Sequence, residues 1–198
     1  GYGFDRAPDG QIIYTKDGLP VQPANIKYIG RAFADWKGGF LNEVQYRNFR
    51  FSILFDGQYG GLIYSQTHHK MTEQGKLKHT LRGREEGYIV GDGVVLNADG
   101  TYSPNTKQVI PAAYYTEYYR RANIESNSFD ASFLKLRETR IDYTIPASLL
   151  ARTKAVRGAT IGLYGRDLAM WTKFPIFDPE TAALNGSTIL PGVEMGQL

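Results

Sequence analysis

Two stretches of this chain alternate between apolar and polar residues with the period of a β-strand. Between positions 138 and 145, Thr139, Ile141, Tyr143 and Ile145 share one face, while Glu138, Arg140, Asp142 and Thr144 share the other. After a short polar turn with helical character at 146–154 the chain returns. Ala159, Ile161 and Leu163 then face one way, and Gly158, Thr160, Gly162 and Tyr164 the other. Positions 38–58 read as a hairpin. Phe49, Phe51, Ile53 and Phe55 lie on one side, and Arg50, Ser52, Asp56 and Gln58 on the other, with Leu54 as the exception. A two-residue turn at Arg47-Asn48 sets Tyr46 opposite Phe49, Val44 opposite Phe51 and Phe40 opposite Phe55, so the apolar faces of both strands coincide. A type I′ turn wants φ > 0 at both central residues, which Arg-Asn does not favour, so the turn type stays open.

The pattern therefore predicts four strands, near 38–46, 49–60, 132–145 and 155–165. Between them lie turn-rich segments. Positions 1–36 carry Pro8-Asp9-Gly10 and Lys16-Asp17-Gly18 around a short apolar segment at 11–14, enough for one small hairpin. Positions 60–127 read as mostly irregular, with a helix around 65–73, turns at Asp92-Gly93 and Asp99-Gly100, and an aromatic run at 114–119. A further loop spans 166–190. Long connections alternate with short ones, as in an up-and-down sheet with its long loops at one end.

A period-2 sheet with one charged face fits either a one-sided sheet in water or the wall of a membrane barrel with a wet lumen. Hydrophobic content is 42% and charged content 22%, and no run approaches the roughly 18 apolar residues of a spanning helix, which leaves a barrel open. In a barrel, an arginine facing lipid near the midplane costs about 2–4 kcal/mol, so Arg50 and Arg140 belong on the lumen side with Asp56, Glu138 and Asp142. Lys135 and Arg137 fall on the apolar phase. A crossing from 137 to 145 would set Arg137 at the interface and Lys135 above it. Tyr46, Phe49 and Tyr143 are then girdle residues near the short turns.

The net charge of +3 is spread along the chain and gives no footprint for nucleic acid, and the absence of Cys excludes a disulfide framework and thiol chemistry. No nucleophile–His–acid set, phosphate loop, zinc motif or cofactor motif is present, so the residues do not read as an enzyme. His68, His69 and His79 lack carboxylates or Cys at ligand spacing and read as loop histidines rather than a metal site. Asp178-Pro179-Glu180 reads as a turn in which the carboxylates cap backbone N–H groups. Gly165-Arg166-Asp167 reads as the end of a strand, with an Arg–Asp pair. Tyr114, Tyr115, Tyr118 and Tyr119, beside Arg120-Arg121, either stack substrate rings or pack among the loops.

Five ordered blocks carry a family resemblance. They are Asp35-Trp36-Lys37-Gly38-Gly39-Phe40-Leu41-Asn42; Phe55-Asp56-Gly57-Gln58-Tyr59-Gly60-Gly61 leading to Tyr64-Ser65; Ser132-Phe133-Leu134-Lys135-Leu136-Arg137 through Tyr143-Thr144-Ile145-Pro146; Gly165-Arg166-Asp167-Leu168-Ala169-Met170-Trp171-Thr172; and Asp178-Pro179-Glu180. Together they resemble the C-terminal barrel portion of SusC/RagA-type TonB-dependent outer-membrane transporters, over almost the whole of 1–198. The resemblance implies an all-β fold, a segment of an antiparallel transmembrane barrel of about 22 strands, with extracellular loops near 1–36, 61–130 and 166–190. It implies a location in the Gram-negative outer membrane, and contact with lipid and with the rest of the barrel and its plug. It further implies a SusD-like lipoprotein partner, energy from the TonB complex and a cargo of oligosaccharide or peptide. The plug and the last strand are not recognised in the sequence. The alternative reading is a soluble or surface carbohydrate-binding β module.

Overall fold

The computed structural model describes residues 1–151 and 156–180, and the backbone of Leu184–Asn185 and Thr188–Ile189. The end of the turn expected at 146–154, the start of the strand expected from 155, and most of the loop beyond 180 lie outside the described residues. The chain divides into two units. A sheet unit comprises Ala32–Gly61 and Asp130–Pro175, and a loop unit comprises Gly1–Arg31, Leu62–Phe129 and the chain from Ile176.

The sheet unit holds four long strands, β1 (Trp36–Tyr46), β2 (Phe49–Tyr59), β3 (Phe133–Thr144) and β4 (Thr160–Thr172). They lie side by side in chain order, every pair antiparallel. The hairpin register is as read: Tyr46 pairs with Phe49, Val44 with Phe51 and Phe40 with Phe55. Arg47 adopts φ +53° and Asn48 is not left-handed, which excludes type I′ and matches the first central position of a type II′ turn. Asn48 ties this turn to the neighbouring strand, its side-chain amide donating to the Thr144 carbonyl at 2.7 Å. At the other end of β2, Gly60 and Gly61 take φ +78° and +86°, and the Gly60 N–H donates to Ser132 Oγ at 2.8 Å. A side chain at Gly60 would collide with Asp35.

The fourth strand departs from expectation. It runs from Thr160 to Thr172 rather than ending at 165, so Arg166 and Asp167 lie inside it and the following loop begins after Thr172. The cause is a β-bulge. Leu136 pairs with Phe55 and Glu138 with Leu54, leaving Arg137 as the extra residue against β2. On the other side Leu136 faces Ala169 and Glu138 faces Arg166, so Asp167 and Leu168 together stand opposite Arg137. Asp167 takes φ +47°, a conformation that Asp tolerates better than most residues.

The bulge inverts the phase of β3. Thr139, Ile141 and Tyr143 lie on the apolar face below it, and Leu136 and Leu134 above it. Lys135 thereby joins the polar face, paired with Asp56, 3% exposed, with its Nζ 4.8 Å from the Phe133 ring centre. The expectation that Lys135 and Arg137 sit on the apolar phase is therefore corrected. A single inserted residue keeps both charges off that face.

The apolar face is continuous across all four strands and open. Phe40 is 60% and Leu163 76% exposed, and Val44, Tyr46, Phe49, Ile141 and Ile161 are exposed beside them. An apolar patch of this extent is foreign to a soluble monomer. Between its ends only Asn42 and Thr139 bring polar side chains to it among the described residues. At the short-turn end, Tyr46, Phe49 and Tyr143 sit together, with the Phe49 and Tyr143 rings 4.7 Å apart. At the far end a second aromatic row appears on the same face. Trp36 stacks on Tyr59 at 6.3 Å, and Trp171 pairs with Leu134. Positions 46 and 36 of β1 bound these rows. At about 3.3 Å per residue the ten steps span about 33 Å, and a strand tilt of about 40° reduces that to about 25 Å, the height of a barrel's apolar band.

In the loop unit, α1 (Gln66–Glu73) starts where its cap allows: Ser65 Oγ accepts from the His68 N–H at 2.9 Å. A second helix, α2 (Pro111–Tyr118), carries Pro at its first turn, where a missing N–H costs nothing. It corrects the reading of 60–127 as mostly irregular. Ile13–Tyr14 turns back on itself through a small hairpin at Lys16–Gly18, as expected, and also pairs in parallel with Val94 and Val95. Tyr14, Ile89, Val109, Tyr114 and Tyr115 form the core. Glu125 stitches the chain start to this unit. Lys27 Nζ and Arg6 Nη2 donate to it at 2.8 and 2.6 Å, and the Phe4 N–H at 2.9 Å. Burial alone would raise its carboxyl, but these donors outweigh it and hold the group at about 2.

Candidate functional site

The five residues read as lumen-facing share one face of the sheet. Arg50 pairs across strands with Asp142, Ser52 with Arg140, Leu54 with Glu138 and Asp56 with Lys135. The exception at Leu54 is resolved by Leu41, its partner on β1. The side chains form a ladder of opposite charges: Arg50 with Glu43, Arg140 Nε with Asp142 Oδ2 at 2.8 Å, and Arg166 Nε with Glu138 Oε1 at 3.4 Å. Tyr164 donates its hydroxyl to Glu138 at 2.9 Å. Asp142 is buried because Gly162 opposite has no side chain, and any Cβ there would occupy the carboxylate's place. Each exposed pair is weak by itself, but together the paired charges present a hydrogen-bonding surface of balanced sign. The surface is concave, a trough of about 740 Å³ lined by Arg50, Glu138, Arg140 and Asp142 with Glu43, Ser52 and Tyr164, while Asp56 lines a neighbouring hollow with Arg137.

Arg137 stands in the neighbouring hollow, with Asp56, Glu138 and Asp167 around it. Its Nε and Nη2 donate to Asp56 Oδ2 at 3.1 and 2.8 Å, and its Nη1 lies 3.5 Å from Asp167 Oδ1. The sequence singles out Asp56 as lumen-facing, Arg137 as an interface residue and Asp167 at a strand end, but does not join them into this clamp. Its signal was present in the two cations that broke the alternation at 135 and 137. The Arg–Asp pair expected within Gly165-Arg166-Asp167 does not form: Arg166 and Asp167 each reach to β3 instead. Asp178 Oδ1 accepts from the Glu180 N–H at 3.0 Å, the loop-fixing turn expected there.

The four tyrosines come together, but with their rings largely in the interior. Tyr114 and Tyr115 are 6% and 7% exposed, and Tyr118 and Tyr119 are half-buried. The stacking surface expected of an exposed aromatic run is taken up by neighbours: Tyr118 packs on Phe4 at 4.6 Å and on Tyr114 at 5.3 Å, and Tyr119 on His79 at 5.0 Å.

Of the three histidines, His68 and His69 are buried and His79 is half-buried, each with protein partners. His68 Nδ1 lies 3.0 Å from Asn127 Oδ1, and His69 Nδ1 donates to the Tyr119 carbonyl at 2.7 Å. His79 Nε2 lies 3.2 Å from Thr72 Oγ1. The His68 and His79 rings stack at 5.2 Å, Tyr119 packs on both at 5.5 and 5.0 Å, and Tyr115 packs on His79 at 5.9 Å. Burial, and secondarily His68, lowers the pKa of His79. A folded pKa below the unfolded value of about 6.5 means that the stabilisation is complete above pH 6.5 and is lost as pH falls through that value toward the folded one. The loop unit is therefore expected to lose stability on acidification below about pH 6.5. Amide exchange in α1 and α2 across this range reads the effect, and His79→Gln should flatten it.

No family model matches the chain. It is 27% identical over 196 residues to TonB-dependent receptor P3 of Formosa agariphila, covering 97% of this chain and 17% of that protein. TonB-dependent receptor P26 of the same organism is 26% identical over 178 residues, covering 89% and 16%. Among solved structures, the RagAB peptide importer matches in its open-open state with TM-score 0.58 and 19% identity, over 90% of this chain and 19% of that one. Its closed-closed state gives TM-score 0.53 and 20% identity, over 89% and 18%. The chain thus spans about a sixth of the length of its curated relatives. Sequence relatedness and fold agree with the open apolar face and the charged trough behind it, and the resemblance to SusC/RagA-type TonB-dependent transporters is borne out: the chain is similar to TonB-dependent receptors over most of its length and has the fold of a segment of such a barrel.

Proposed function

We propose that the chain serves as part of the wall and outer loops of a nutrient importer in a Gram-negative outer membrane. The observation that carries this reading is the pairing of two faces on one sheet. An apolar band about 25 Å tall between two aromatic rows backs a ladder of opposite charges. The band meets lipid. The ladder, with Arg50, Asp56, Glu138, Arg140 and Asp142, lines the water-filled lumen and contacts the plug. The long loops near 1–36, 61–130 and 166–190 are extracellular and meet an oligosaccharide or peptide cargo and a SusD-like lipoprotein, with the TonB complex driving transport through the rest of the barrel. The relatives are named as receptors and an importer rather than enzymes, in keeping with this role. The alternative of a soluble carbohydrate-binding module would leave the face around Phe40 and Leu163 in water.

Single cysteines test the assignment in the whole transporter, since this chain has none of its own. A fluorophore at Leu163→Cys should be quenched by spin-labelled lipid. One at Tyr164→Cys, the next residue, should instead be quenched by iodide. Equal quenching of both by iodide would overturn the wall reading.

A further inference from the structure

We propose that the cleft formed by Tyr14, Tyr114, Tyr118 and Tyr119, with Arg82 and Asp92 at its mouth, binds one neutral polyhydroxylated ring, a single sugar residue. The proposal deepens the importer reading, on which it rests, by giving the loop unit a ligand site of its own. The cleft encloses about 190 Å³, room for about six water molecules. It admits one ring, not a chain.

Its lining decides the chemistry. The ring faces are already occupied. Tyr114 stacks on Tyr118 at 5.3 Å and Tyr118 on Phe4 at 4.6 Å, and Tyr119 packs against Tyr115 at 6.3 Å and His79 at 5.0 Å. What remains for a ligand is phenol edges and hydroxyls. The Tyr115 hydroxyl is committed to the carbonyls of His79 and Arg82, at 2.7 and 3.2 Å. Burial, and secondarily its neighbour Tyr14, raises the pKa of Tyr114. Among the described residues, Tyr118 and Tyr119 make no side-chain hydrogen bond, although burial desolvates both.

Three ligand chemistries can be compared on that lining. An apolar side chain would find no open ring face and would seal the unpartnered hydroxyls away from water, a loss for each buried group. An ion would meet no net charge, because Arg82 Nη1 and Asp92 Oδ2 stand 3.6 Å apart and neutralise each other. A neutral ring bearing several hydroxyls both donates and accepts. It satisfies the phenols inside, while Arg82 donates to and Asp92 accepts from its outer hydroxyls. These two side chains are solvent-exposed, at 56% and 91%; Arg82 Nη2 also donates to the Val90 carbonyl at 3.1 Å, so Asp92 is the one that turns more readily toward a ligand.

The test uses the whole transporter purified in detergent, with methyl hexosides and short uncharged peptides as probes and saturation-transfer NMR and calorimetry as readouts. Tyr119→Phe and Asp92→Asn each alter one polar group and keep its shape. A methyl hexoside is expected to bind with millimolar affinity, and each variant to weaken it about 5–10-fold, the worth of one hydrogen bond. Near-UV circular dichroism should match wild type in both. Absence of hexoside binding, binding unchanged by both variants, or binding of the peptides alone would each overturn the proposal, leaving the cleft to water or to a different ligand. TonB-dependent uptake separates the two readings. Uptake that persists without hexoside binding sinks the cleft site and leaves the importer standing. Hexoside binding without any TonB-dependent uptake sinks the importer and leaves the site.

Discussion

An arginine placed at Phe40 is expected to cost about 2–4 kcal/mol of folding stability in a lipid bilayer, whereas one placed at Leu41 costs less than about 1 kcal/mol. The two residues are neighbours on β1, close to midway between the aromatic rows, and they point to opposite faces. Phe40 belongs to the apolar row with Phe55 and Leu136, where a guanidinium would have to leave water. Leu41 lines the trough beside Glu43 and Glu138, where the same group gains partners and loses only its packing on Leu54. Urea titration of the whole transporter folded into lipid vesicles measures both costs. Small and equal costs would mean that the face at Phe40 is wet, and the barrel assignment would fail.

Removing the Arg137 side chain is expected to cost about 2 kcal/mol. The guanidinium is about a quarter exposed and holds Asp56 with two hydrogen bonds while approaching Asp167. Arg137→Ala leaves two carboxylates near each other at a half-buried bulge, and losing one partner of such a pair is costlier than losing both. Arg137→Ala combined with Asp56→Asn should therefore recover about half of the loss. A double-mutant cycle by urea titration gives the coupling directly. A coupling near zero would show that the bulge is held by backbone pairing alone, with the clamp a bystander.

The parts of this fold that the sequence disclosed are those governed by local periodicity. The register from Tyr46–Phe49 to Phe40–Phe55 follows once the turn is placed, because a slip of one residue would turn every side chain to the wrong face. The five charged residues of the polar face follow from the same period. The period could not reveal where it breaks. Lys135 and Arg137 looked like charges on an apolar phase, and Arg166-Asp167 like the beginning of a loop, whereas both are the marks of one bulge. A bulge is a compromise among three strands, and two of them lie about 80 and 30 residues from Arg137, at Asp56 and Asp167.

The tyrosine run illustrates a different limit. Tyr is a modest helix former, and an aromatic run suits a stacking platform as well as a core. Pro111 marked a helix start, but nothing near positions 114–119 announced that Tyr14, Ile89 and Val109 would close over them. The exposure of an aromatic side chain is decided by residues far away in the chain. Once those are in place, the ring faces are spent on packing.

The two aromatic rows make the sheet a ruler. Trp36, Tyr59 and Trp171 at one end and Tyr46, Phe49 and Tyr143 at the other fix a height that rigid strands cannot adjust. A bilayer thicker than about 25 Å must thin around the wall or drag its indole and phenol groups below the headgroups, and bacterial outer membranes are thinner than average. Hydrophobic mismatch thus acts on this segment as a sorting device, and insertion should be fastest in lipids with short acyl chains.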